Sequence, residues 1–132
     1  MSESINPANF KIVIVDDSDF SRGIMNKIVT DAGYNVVGEA GRADQAMQVI
    51  NERKPHIVIT DIVMPEISGI ELTEKIRQKF DHIAVIIVSS LSQEHIVLEA
   101  IGAGASDFIA KPIQGQQLLD SLEKIATQLQ NS

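Results

Sequence analysis

The segment PHIVITDIVMPEISG, Pro55 to Gly69, carries a strand, a charged end and a helix start in succession. Ile57, Val58, Ile59 and Thr60 are consecutive β-branched residues, and an unbroken run of this kind reads as a strand buried on both faces of a parallel sheet. Asp61 follows at once, hemmed in by Ile62, Val63, Met64 and Pro65. Ionising a carboxylate there is costly unless a neighbouring group stabilises its charge. Pro65 and Gly69 then turn the chain, and Ser68 with Glu71 three residues on is the pattern of a capped helix start.

The same alternation extends in both directions. KIVIVD (Lys11 to Asp16) and AVIIVS (Ala84 to Ser89) are further buried-strand runs, while YNVVGEA (Tyr34 to Ala40) and DFIA (Asp107 to Ala110) are weaker and read as edge strands. Between them apolar residues recur at helical spacing: Phe20, Ile24 and Ile28; Ala43, Ala46, Met47 and Ile50; Leu72, Ile76 and Phe80; and finally Leu118, Leu122, Ile125 and Leu129. A helix over about Gln93 to Ile101 has looser spacing; Ser92 is its expected cap, Glu94 suits its positive first turn, and Gly102 and Gly104 end it. Five strands alternating with five helices predict a three-layer α/β domain with right-handed crossovers.

Composition narrows the possible functions. A chain of 132 residues with 44% hydrophobic residues supports one core and one domain. The net charge of −7 and the absence of any Lys/Arg cluster argue against nucleic acid as a partner. With no cysteine there is no disulfide, thiolate nucleophile or thiolate zinc site. The opening MSESINPANF lacks the basic and apolar regions of a signal peptide, and no apolar run approaches the ~20 residues of a membrane span, so a cytoplasmic protein without membrane contact is expected.

In a parallel α/β sheet, sites form beyond the carboxyl ends of the strands. There this sequence places Asp16 and Asp17, Asp61, Ser89 and Ser90, and Lys111 with Pro112. Carboxylates drawn together repel one another and call for a cation; Mg²⁺ suits a site of oxygen ligands completed by a phosphate, and Lys111 adds a mobile point charge. A carboxylate can itself attack phosphorus, so Asp61 reads as the acceptor, Asp16 and Asp17 as holders of the ion, and Ser89 as a donor to a phosphoryl oxygen.

These residues closely resemble the receiver domain of bacterial two-component response regulators, over about Lys11 to Gln128. VDDS, TDIVMPEISG, VSS and GASDFIAKP carry the resemblance, and VSSLSQEH together with GASDFIAKP is most similar to chemotaxis receivers. The resemblance implies an N-terminal tail over residues 1–9, a receiver over 10–130 and no effector domain. It implies the doubly wound (βα)5 fold with strand order 2-1-3-4-5, flavodoxin-like. Asp61 matches the phosphoacceptor; Asp16, Asp17, Asp61 and the backbone carbonyl of Val63 match the Mg²⁺ site, with Asp16 acting through water. Ser89 and Ser90 stand at the switch hydroxyl, Phe108 at the switch aromatic and Lys111 at the phosphoryl-contacting lysine, with a cis Lys111–Pro112 bond. A sensor histidine kinase or phosphotransfer protein is then the donor, and an unknown downstream protein the target, engaged through the fourth helix, fifth strand and fifth helix. The chain is expected to be a monomer or weak dimer and not an enzyme, catalysing only its own phosphotransfer and slow dephosphorylation.

Departures from the family pattern carry their own expectations. Phe108 replaces a frequent Tyr and should favour burial; Val63 and Leu91 are apolar where the hydrolytic water passes, which should slow loss of the phosphoryl group. Two other classes fit less well: a flavin carrier is opposed by the acidic DDSDFS loop, and an aspartyl-phosphate hydrolase by Val63 at the place of its usual second carboxylate. His56, His82 and His95 have no partners at metal-ligand spacing and read as surface or internally satisfied residues.

Overall fold

Alternation along each strand divides the core between the two faces of the sheet. The computed structural model describes residues 4–132. Its strands are β1 (Lys11–Val15), β2 (Asn35–Ala40), β3 (Ile57–Thr60), β4 (Ala84–Ser89) and β5 (Asp107–Ala110), all parallel, in the order β2-β1-β3-β4-β5. Ile12, Ile14, Ile57, Ile59, Ile86 and Val88 face one side, where α1 (Asp19–Asp31) and α5 (Gly115–Gln130) cover them. Val13, Val15, Val58, Val85 and Ile87 face the other, under α2 (Ala43–Arg53), α3 (Gly69–Lys79) and α4 (Glu94–Gly102). The expected doubly wound fold is therefore present, with β2 and β5 at the edges. Of the expected N-terminal tail, residues 1–3 lie outside the described part; Pro7–Asn9 form a 3-10 turn whose start is capped by the Asn6 side chain.

The helix starts and faces match the sequence reading in part. Ser68 caps α3, its hydroxyl accepting from the Glu71 N–H at 3.2 Å. At α4 the cap residue is Gln93 and not Ser92, with no side-chain cap bond; the helix closes through Gly104 at φ 108°. The larger correction concerns α1. Its buried residues are Met25 and Val29, whereas Phe20 is 80% exposed and Ile24 40% exposed. Of the expected stripe only Ile28 packs against the core, half-buried beside Met25 and Val29; the two rows are adjacent on the helix, and only docking on the sheet decides which turns inward.

Two consequences for stability follow. Gly23 lies exposed inside α1, and a Cβ there meets nothing within 4 Å. Gly23→Ala is expected to stabilise the protein by about 1 kcal/mol, read as a rise in urea midpoint at unchanged slope. His56 accepts the Lys11 N–H on Nδ1 at 2.9 Å, bridging the starts of β1 and β3, and packs edge-on against Phe10. Burial, with the charges of Lys11 and His82, lowers its pKa below the usual histidine value. The unfolded chain thus takes up this proton first as pH falls. The contribution of neutral His56 is complete above the ordinary value of ~6.5 and is lost as pH drops through the depressed one. His56→Asn, whose Oδ1 can accept the same bond, is expected to lose less stability than wild type between pH 7.5 and 5 in parallel denaturant titrations.

Candidate functional site

Adjacent strands bring the acids together because β1 and β3 pair in register, Val15 beside Thr60. The next residues, Asp16 and Asp61, therefore emerge side by side at the carboxyl edge. Their backbones continue the ladder: the Asp61 N–H donates to the Val15 carbonyl at 3.0 Å, and the Asp16 N–H to the Ala40 carbonyl at 3.0 Å. Asp16 is fully buried, Asp61 is 9% exposed, and Asp17 beside them faces solvent.

Lys111, at the end of the distant edge strand, reaches both buried acids. Its Nζ donates to Asp16 Oδ2 at 2.9 Å and to Asp61 Oδ2 at 3.1 Å. Burial works against the ammonium, but hydrogen bonds and charge from the two carboxylates outweigh it and hold the lysine pKa above its usual value. The remaining carboxylate oxygens accept backbone donors, Asp16 Oδ1 from the Ser18 N–H at 2.9 Å and Asp61 Oδ1 from the Ile62 N–H at 2.7 Å. Lys111 supplies the charge that Asp61 lacked in its own segment.

One carboxylate oxygen from each of Asp16, Asp17 and Asp61 lies within 4.8 Å of the others. Ligands on opposite sides of a Mg²⁺ ion stand about 4.2 Å apart, from its ~2.1 Å bond length, so a small inward movement suffices. Three hard oxygens and a deep, charge-dense end fit that ion chemically. Val63 directs its side chain outward, 56% exposed.

Ser89 and Phe108 occupy the neighbouring strands. Ser89 is buried at the end of β4 next to Ala110, and its hydroxyl accepts the Leu91 N–H at 3.1 Å; Ser90 is exposed. The Lys111 N–H donates to the Ser89 carbonyl at 2.9 Å, and the Lys111–Pro112 bond is cis, as expected. Phe108 is half-buried and packs against the core on the α2–α4 side of the sheet, its backbone paired with Ile87 of β4. A cleft of about 370 Å³ opens over the acids, with Phe20, Ile24, Pro112 and Ile113 forming an apolar wall beside Asp16, Asp17, Asp61 and Lys111.

Two features escaped the sequence reading. Arg22 of α1 donates to the Asp16 carbonyl, to Glu39 and to Asp19; only the Asp19–Arg22 spacing of three residues was visible in advance. The glycine at 69 is set by a close approach: α3 begins against the Asp61 carbonyl, and the Gly69 N–H donates to the Ile62 carbonyl at 2.8 Å.

A doubly wound sheet whose carboxyl edge gathers three carboxylates and one lysine defines the class of domain. The chain belongs to the response regulator receiver domain family, whose pattern matches residues 12–123. It is 40% identical over 116 residues to the chemotaxis protein CheY of Thermotoga maritima, covering 88% of this chain and 97% of that one. CheY of Listeria monocytogenes is 42% identical over 88% of this chain and 98% of its own. Among solved structures, that of the CheX-CheY-BeF3-Mg complex from Borrelia burgdorferi superposes with a TM-score of 0.85 at 30% identity, covering 88% of each chain. The protein is thus a CheY-like signalling domain. Among the described residues no helix is long and apolar enough to cross a membrane.

Proposed function

We propose that this protein is a phosphorylation-dependent signalling switch that receives a phosphoryl group on Asp61 from the phosphohistidine of a sensor kinase or phosphotransfer protein. The observation that carries the reading is Lys111 bridging Asp16 and Asp61 across separations of 95 and 50 residues in sequence. Such convergence at a cleft is unusual for a merely structural ion pair, because it draws two poorly solvated acids to one edge.

An Asp61 carboxylate oxygen forms the new bond to phosphorus as the phosphorus–nitrogen bond of the donor breaks, and the departing imidazole retains the electron pair. Asp16, Asp17, Asp61 and the Val63 carbonyl would hold a Mg²⁺ ion, which when bound would supply neutralisation of the transferring oxygens. Lys111 exchanges one carboxylate for a phosphoryl oxygen, and Ser89 gives up the Leu91 N–H to donate its hydroxyl to another. Moving Ser89 draws on the β4–α4 connection, and Phe108 on the next strand follows. The phosphoryl group shifts the population only as far as it contacts one packing better. Leu98 and Ile101 of α4 are exposed beside β5, which supports output to a second protein through the α4-β5-α5 surface. The Borrelia CheY captured with CheX and BeF3 is a relative in which a receiver meets another protein.

Intact mass after incubation with acetyl phosphate tests the reading. A phosphoryl adduct is expected for wild type with Mg²⁺ and none for Asp61→Asn or after chelation; an adduct that survives Asp61→Asn overturns it. The exposed Val63 and half-buried Leu91 are apolar side chains that cannot themselves orient an attacking water. A Val63→Asn, Leu91→Glu variant is expected to lose the phosphoryl group about tenfold faster, below the roughly 100-fold or more of a fully positioned general base. Equal decay by mass spectrometry would remove this account of its lifetime.

A further inference from the structure

Arg22 is a cation set directly behind an acidic cluster that has its own cation in Lys111. The Arg22 charge is answered by Asp19 and Glu39, but toward the metal site it brings no electrostatic gain, since a second positive charge weakens the attraction of the site for a metal ion. Its contacts show a different use. Nη1 donates to the backbone carbonyl of Asp16 at 2.6 Å, Nε to Glu39 Oε1 at 2.9 Å and Nη2 to Asp19 Oδ1 at 2.6 Å. The Glu39 carboxylate is held in turn by the Asn26 side-chain amide at 2.7 Å, and Asn26 accepts the Thr30 hydroxyl at 2.8 Å. The guanidinium side chain is 19% exposed, and the position of a Cβ on Gly41 would lie 3.6 Å from Nη1 and 3.9 Å from the Asp17 Cα.

The carbonyl of Asp16 belongs to the peptide that joins Asp16 to Asp17. Holding that oxygen fixes the plane of the peptide, and with it the direction in which the Asp17 side chain leaves the backbone. Asp17 needs such help because its carboxylate is exposed, whereas Asp16 and Asp61 are held by Lys111 and by backbone donors. The planar, five-donor fork of arginine meets three acceptors in three directions, which an ammonium cannot reproduce. We infer that Arg22, locked between Asp19 and Glu39, is a positioning residue that holds the Asp16–Asp17 peptide so that the exposed Asp17 carboxylate is aimed into the metal site. The inference rests on the proposed Mg²⁺-dependent reading of that site.

The sign of one measurement separates positioning from charge. Mg²⁺ affinity of the free protein is read by isothermal titration calorimetry for wild type, Arg22→Met and Arg22→Lys, with amide NMR spectra confirming the fold of each. If Arg22 acted only through its charge, Arg22→Met would bind Mg²⁺ more tightly and Arg22→Lys like wild type. Positioning predicts the reverse: a Kd about tenfold weaker for Arg22→Met, in line with loss of outer-shell partners, and a weaker Kd for Arg22→Lys despite its retained charge. Adduct formation at saturating Mg²⁺ should then recover toward wild type in both. Glu39→Gln, which leaves Arg22 in place but loosens its clamp, should shift the Kd in the same direction by less, and the charge-keeping Arg22→Lys carries the test if Arg22→Met does not fold. Unchanged or tighter Mg²⁺ binding in these variants, with only lowered thermal stability, overturns the inference while leaving the phosphoacceptor reading intact. A wild-type chain that binds no Mg²⁺ overturns both.

Discussion

Gly69→Ala is expected to destabilise the protein by about 3 kcal/mol or more and to abolish phosphoryl adduct formation. A Cβ at this position would stand 1.8 Å from the Asp61 carbonyl oxygen and 2.8 Å from the carbonyl carbon. Both are backbone atoms, so no rotamer change relieves the overlap; either α3 lifts off the sheet or the end of β3 moves. Overpacking a close-fitted interior costs roughly 1–3 kcal/mol when side chains can yield, and here they cannot. Any relief displaces Asp61 itself, so stability and chemistry should fail together. Urea unfolding and intact mass on the same sample check both parts, with Gly23→Ala as the control in which the added methyl meets no neighbour. A Gly69→Ala protein of wild-type stability would show that α3 does not dock this closely.

Lys111→Met should have opposite effects with and without the metal. Without Mg²⁺, Asp16 loses its side-chain cation while remaining fully buried, and Asp61 loses one at the cleft floor. Leaving such acceptors unpaired costs about 1–3 kcal/mol, and the lower part of that range is expected because the lysine side chain keeps 20% of its surface exposed. With Mg²⁺ the acids regain a cation, and no ammonium competes for it. The variant should therefore bind Mg²⁺ more tightly than wild type, and saturating metal should restore much of the lost stability, since about 100 times Kd contributes about 2.7 kcal/mol. Thermal melts across a Mg²⁺ titration read both quantities. Weaker Mg²⁺ binding by Lys111→Met would mean that the lysine shapes the acids rather than neutralising them.

The fold was legible because β1, β3 and β4 are buried on both faces, which leaves continuous apolar runs that no surface helix displays. The acids and Lys111 were legible for a related reason: in a parallel sheet every strand delivers its last residue to one edge, so position along the strand is position in the site. What depended on packing between elements was less visible. Phe20, Ile24 and Ile28 have the spacing of a buried stripe, yet α1 docks through Met25 and Val29 with Ile28 half-buried beside them, and leaves Phe20 and Ile24 beside the cleft. The start of α4 at Gln93 rather than at Ser92 is a difference of one residue that backbone geometry decides. The Arg22–Glu39 contact joins a helix to the edge strand, 17 residues apart, and neither residue signals the other in the sequence.

The 95 residues between Asp16 and Lys111 also order events in time. A chain made from its N-terminus produces Asp16, Asp17 and Asp61 well before the lysine that answers them. Lys111 follows β5, the strand that closes the outer edge of the sheet. Until that strand is added to β4, the Asp16 and Asp61 carboxylates share an edge without the ammonium that bridges them, and the repulsion between them opposes the very assembly that β1 and β3 favour. A stalled or truncated chain thus carries Asp16 and Asp61 without the lysine that bridges them, and the bridged pair of acids arrives only once β5 is in place.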